Sequence, residues 1–286
     1  MTVLSVGGWA PRLVRPSPLP GFGLTLGFTI SYLSLIVLLP LAVLVWRAGA
    51  LGLDGIWQVA TTPRVLAALE VSFVTSALAA LVNAPAGTLI AWVLVRYDFP
   101  GRRIADAVID LPFALPTAVA GIALAALYAP NGWVGALFAP WGIKIAYTPL
   151  GIFIALLFIG LPFVVRTVQP VLQDFDREVE EASATLGGSR RQTVLRVILP
   201  ALVPAITTGA ALAFARAVGE YGSVIFIAGN MPFVSEIAPL VIVTRLEEFD
   251  YAGAAAVATV MLAISFTALL VINSVQALGR RRFSNA

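Results

Sequence analysis

Six stretches of this chain run for about 20 residues or more with almost no charge, the helical length needed to cross a hydrocarbon core about 30 Å thick. They are Leu24–Trp46, Val71–Val95, Leu111–Ala129, Ile145–Val165, Ala201–Ala228 and Ala252–Leu278, and the only charges inside them are Arg216 and Glu220 in the fifth. A segment surrounded by lipid must satisfy its backbone hydrogen bonds within itself, so all six are expected to be helices. The expected fold class is an all-α, polytopic integral membrane bundle of about six transmembrane helices. Composition agrees: at 59% hydrophobic and 12% charged residues, the chain cannot present water-facing surface all round. The division expected is an N-terminal segment over 1–23, a transmembrane domain over 24–278 containing a loop over 166–200, and a basic tail over 279–286. The first run is too long for a signal-peptide core and lacks a small-residue cleavage site, so it reads as a retained span.

Missing residue types remove whole classes of chemistry. There is no cysteine, which excludes disulfides, thiolate metal sites and cysteine nucleophiles, and no histidine, which excludes Ser-His-Asp triads and HExxH zinc helices. The sole lysine, Lys144, lies in "GIKIAY", so the chain carries no Gly-Lys-Ser or Gly-Lys-Thr phosphate loop and binds no ATP that way. Neither a cofactor nor a metal is expected. A net charge of +3 gives no broad basic surface, and nucleic acid is not an expected partner.

Positive charge nevertheless orients the bundle, because basic loops stay cytoplasmic. With both termini inside, thirteen arginines fall on the cytoplasmic side: 12, 15, 96, 102, 103, 166, 177, 190, 191, 196, 280, 281 and 282. Only Arg47, Arg64, Lys144 and Arg245 fall outside. A multi-pass protein of the cytoplasmic membrane with both ends inside is expected. Asn83, Pro85 and Gly87, Pro112, Pro116 and Gly121, and Gly160 and Pro162 interrupt the second, third and fourth runs. Singly they suit close helix packing; together they suit a bundle with a path through it.

The loop "QDFDREVEEASATLGGSRRQTVLRVILP" has internal order. Asp176, Glu178, Glu180 and Glu181 fall in the first turns of a short helix, where carboxylates complement the dipole. Val179, Ala182 and Leu186 share one face, Gly187 and Gly188 supply a left-handed stop, and Ser189 with Gln192 forms a capping box opening a second helix. The loop could simply be a charged connection. It is also shaped to enter a groove on a partner protein.

The spacing of Glu181, Ala182 and Ser183, then Gly187, then Val197, Ile198, Leu199 and Pro200 resembles the EAA signature of ABC importer membrane subunits, with Ser183 and Val197 as conservative departures. The resemblance implies the type I importer transmembrane fold. It makes Glu181, Ala182, Ser183, Leu186, Gly187 and Pro200 the element that couples to an ATPase. "LPFALPTAVAG", "FARAVGEYGSVIFIAGN" and "RLEEFDYAGAAA" are similar to the sulfate and thiosulfate permeases, a pattern that molybdate permeases largely share. Implied partners are a second homologous permease chain, two ATP-binding cassette subunits that hold ATP and magnesium, and a periplasmic or surface-tethered binding protein.

A sulfate dianion cannot cross a low-dielectric core without compensating donors. Arg216, Glu220, Tyr221, Ser223 and Thr117 are the candidate path residues, with Thr88 a further hydroxyl near a break. Each hydroxyl also suits local packing or hydrogen bonding. Two other readings stay open: an ion-gradient-driven transporter, and a membrane enzyme using Asp106, Asp110 and Glu220, though Asp106 and Asp110 also suit pairing with Arg102 and Arg103.

Overall fold

A computed structural model describes residues 21–284. Most of the expected N-terminal segment (residues 1–20) and the last two residues of the basic tail lie outside the described residues. The chain divides into two compact units, residues 1–46 and 47–286. The first unit carries most of α1 (Phe22–Gly49), an apolar helix with a π turn at Ser34–Leu38. Leu24, Phe28, Leu35 and Leu39 are all exposed along it, as on a lipid-facing helix.

The second unit runs through α2 (Gly52–Ala60), α3 (Pro63–Arg96), α4 (Arg102–Ile109), α5 (Thr117–Tyr128) and α6 (Pro149–Gln173). It continues with α7 (Arg177–Thr185), α8 (Arg190–Val218), α9 (Ala238–Glu247) and α10 (Tyr251–Ser284). Helices α3, α6 and α8 pack against one another as its centre, and α9 lies against α3 and α10.

Small residues let the three central helices approach closely, as expected where lipid supplies no hydrophobic drive for association. The buried stripe of α3 includes Ala68, Ser72, Ala79, Asn83, Gly87, Ala91 and Leu94, recurring at helical spacing. A Cβ at Gly87 would sit 2.7 Å from Val164 Cβ on α6, and one at Gly160 of α6 would sit 2.5 Å from Asn83 Nδ2. At Gly209 of α8 it would meet Thr167 Oγ1 at 2.3 Å. Asn83 donates from Nδ2 to the Leu157 carbonyl at 3.1 Å, one turn before Pro162. The glycines and Asn83 of the second and fourth runs are thus packing devices, and α3 and α6 continue through Pro85 and Pro162.

Two expectations are corrected. The third run is not one helix: a turn at Leu111–Ala114 ends at Leu115, whose ψ is 136°, and α5 starts only after Pro116. Proline offers no N–H and disfavours helical backbone in the residue before it, so the run breaks there. The described residues hold five helices long and apolar enough to cross a membrane beside the 12-residue apolar α5, in keeping with the expected bundle of about six. The fifth run also breaks, since α8 stops at Val218, placing Arg216 in the last turn of a helix rather than at the middle of a span. Within the loop expected over 166–200, α6 extends to Gln173 and α8 starts at Arg190, so the stretch between these two long helices is 174–189.

Helix α8 spans Arg190–Val218 without a gap, including a π turn at Val194–Ile198. At the far end of the bundle, Asp250 accepts from the Gly253 N–H at 2.9 Å and pairs with Arg245 at 2.6 Å. The Gly253 amide, with Arg245, holds the Asp250 carboxyl below the usual carboxylate range against the opposing effect of burial.

Candidate functional site

The break after α8 is organised by one carboxylate. Glu220 is 3% exposed, and its Oε1 accepts from the Ser223 N–H at 2.9 Å and the Ser223 hydroxyl at 3.1 Å. Its Oε2 pairs with Arg216 Nη1 at 2.5 Å. Glu220 therefore neutralises the arginine one turn back and holds Ser223, the residue that leads into the turn at Val224–Ile227. Arg216 keeps 37% of its side chain exposed.

This turn sits hard against the start of α5. A Cβ at Gly222 would lie 2.1 Å from Thr117 Oγ1, and one at Gly121 would lie 2.3 Å from the Ser223 carbonyl oxygen. Only glycine permits either approach. Ser223 is fully buried and Tyr221 half-buried. Arg216, Glu220, Tyr221, Ser223 and Thr117, chosen from two separate runs, thus fall in one contiguous region. No side chain caps α5 behind Pro116, so its first N–H groups carry the positive end of the helix dipole. Two broken runs meeting back to back can offer an anion amide donors, hydroxyls and a guanidinium. Thr88 lies apart from this region: it bonds its own helix, at the Ala84 carbonyl.

The loop over 174–189 has the local geometry that its sequence specifies. The Asp176 side chain caps α7 by accepting from the Glu178 N–H at 2.9 Å. Helix α7 ends in a Schellman arrangement: Gly187 N–H donates to the Ala184 carbonyl, Gly188 N–H donates to the Ser183 carbonyl, and Gly187 is left-handed at φ 81°. Ser189 and Gln192 form the capping box that starts α8. Ser183 and Thr193 share a hydroxyl hydrogen bond at 2.8 Å across the bend. Glu181 and Ala182 are exposed, and Leu186 is 88% exposed. Pro200 lies inside α8, past the π turn.

Sequence reading missed two contacts. Glu180 pairs with Arg96 at the end of α3 at 2.5 Å, and Arg190 donates to the Tyr97 hydroxyl at 3.2 Å. Partners separated by 84 and 93 positions leave no local spacing signal. Asp106 and Asp110 turn from Arg102 and Arg103 to Arg166 of α6, which reaches Asp106 Oδ1 at 2.7 Å and Asp110 at 2.8 and 2.6 Å. Arg102 pairs with Asp98 instead. Burial pushes the Asp106 carboxyl up, but the hydrogen bonds from Arg166 and Gln169 outweigh it and leave it below its ordinary value. All three carboxylates of the enzyme reading are thus ion-paired.

Residues 83–285 match the profile of the family described as "Binding-protein-dependent transport system inner membrane component". The chain is 55% identical over 253 residues to the sulfate transport system permease protein CysT of Synechocystis sp., covering 88% of each. It is 49% identical over 264 residues to the protein of the same name from Escherichia coli, covering 92% of this chain and 95% of that one. Among solved structures, it is similar to a chain of a bacterial ABC transporter involved in the import of the acidic polysaccharide alginate. That likeness has TM-score 0.74, 16% identity, and coverage of 91% of this chain and 94% of the other.

Proposed function

Because this chain belongs to the inner membrane components of binding-protein-dependent transport systems, we propose that it is a permease subunit of an ATP-driven sulfate importer, working by alternating access in the cytoplasmic membrane. The observation that carries the reading is its match to sulfate permeases along nearly the whole of both chains. The region around Glu220 supports the anion class. A dianion leaving water needs donors fixed in advance, and a helix start in the membrane, hydroxyls and an arginine are groups of that kind.

In this reading a binding protein delivers the anion to the outer face, and this chain forms the path with a second, homologous permease chain. Two ATP-binding cassette subunits hold ATP and magnesium and work on the cytoplasmic face. The residues 174–189, with the exposed Leu186 and the rigid bend at Gly187, are the handle those subunits grip. Both termini and this handle lie in the cytoplasm, on the arginine-rich side. Arg216 meets the anion when its pair with Glu220 opens, and Tyr221, Ser223 and Thr117 line the same region.

The test is uptake of labelled sulfate by the complete importer in proteoliposomes. Uptake is expected to require ATP, to stop with vanadate, and to continue when ionophores collapse the ion gradients. Excess thiosulfate should compete and excess molybdate should not. Uptake that follows the ion gradient without ATP returns the secondary-transporter reading, and strong competition by molybdate moves the substrate.

A further inference from the structure

We propose that Arg96 is a positioning residue for coupling: through its pair with Glu180 it carries the movement of α7 into α3. This rests on the reading of 174–189 as the element gripped by the ATPase. Helix α7 is joined to α6 and α8 by the chain itself, but α3 has no covalent link to it. The Arg96–Glu180 pair at 2.5 Å crosses that gap, and beside it Arg190 at the start of α8 bonds the hydroxyl of Tyr97, the residue just past the end of α3.

The site is built to hold a guanidinium rigidly. Arg96 is in the last turn of α3, where a cation complements the helix dipole, and only 11% of its side chain is exposed. Its Cζ lies 5.7 Å from the Trp92 ring centroid, a cation–π contact one turn back on the same helix. Nε has no acceptor among the described residues, which leaves Glu180 as the anion that neutralises this side chain. Nearby, an open groove of about 610 Å³ between α3 and α8 is lined by Pro85, Thr88, Trp92, Val194 and Leu202.

The geometry gives α7 two working sides. Glu180 faces its own bundle, while Leu186 and the 43%-exposed Val179 remain open. A partner seated on the open side would displace α7, and Arg96 would draw α3 with it. Allosteric coupling needs an element biased from both ends, and a charge pair between two helices supplies one.

The experiment compares the complete importer carrying Arg96→Met, Glu180→Gln, or the exchange Arg96→Glu with Glu180→Arg. The readings are sulfate delivered and ATP hydrolysed in the same proteoliposomes. Each single variant is expected to assemble and hydrolyse ATP while sulfate delivered per ATP falls roughly tenfold. The exchange should restore most of that loss. Unchanged sulfate per ATP in the single variants overturns the proposal, as does a loss that the exchange fails to relieve. Should Arg96→Met not insert, Glu180→Gln, on a helix between the crossing segments, decides alone: a fall in sulfate per ATP supports the proposal and an unchanged ratio overturns it. The parent complex separates two failures: a parent without ATP-dependent uptake overturns the importer reading, whereas an active parent with unaffected variants overturns only the role of Arg96.

Discussion

Arg216 and Glu220 stand one helical turn apart, and the turn between them is where α8 stops. Counting charges along an apolar run put Arg216 at mid-span, where an arginine costs about 2.5–3.5 kcal/mol to insert. The run looked continuous because its composition is; what breaks it is Glu220, which supplies from its side chain the acceptor that the Ser223 N–H lacks. Removing Arg216 alone leaves a buried carboxylate without its cation, a loss of about 3 kcal/mol, at the low end because the arginine is 37% exposed. The informative variant is therefore Arg216→Met with Glu220→Gln, since glutamine keeps one oxygen for Ser223. It is expected to assemble normally and to lose sulfate uptake by roughly tenfold or more, measured as transport per complex recovered from the membrane. Near-normal uptake by the assembled double variant would reduce the pair to a structural one.

Among the elements, α7 and its bend were the most legible part of the chain. Asp176, Gly187, Ser189 and Gln192 act on backbone groups two to five residues away, so their spacing specifies the geometry. The breaks at Pro116 and Gly219 were less legible: in lipid a helix is expected to continue, and what satisfies the broken ends comes from another part of the chain. Close approach of Gly222 to Thr117 cannot be read from either run alone. The Arg96–Glu180 pair is invisible for the same reason. Gly187 has open space around its Cα, so replacing it strains only the backbone, at about 1–2 kcal/mol for a left-handed L-residue. Gly187→Val should accordingly insert and assemble while ATP-dependent uptake falls severalfold, and full uptake by this variant would mean that the angle of α7 does not matter to transport.

At the scale of the whole molecule, the arginine distribution makes a claim about sidedness that needs no structure. The chain has no cysteine of its own, so single replacements at exposed positions report without background. Asn131→Cys should react with an impermeant thiol reagent in intact cells, and Ser189→Cys only after permeabilisation. Labelling of Ser189→Cys from outside would invert the bundle. The close notches between α3, α6 and α8 bear on motion. Val164 against Gly87, Asn83 against Gly160 and Thr167 against Gly209 key the three helices together, so none can slide along its neighbour without a clash. These notches fix the middle of the bundle, and none of them reaches the end of α3 that carries Arg96. Deformation is left to the places where the chain is not keyed: the interrupted start of α5, the short turn after Val218, and the linkage at the end of α3.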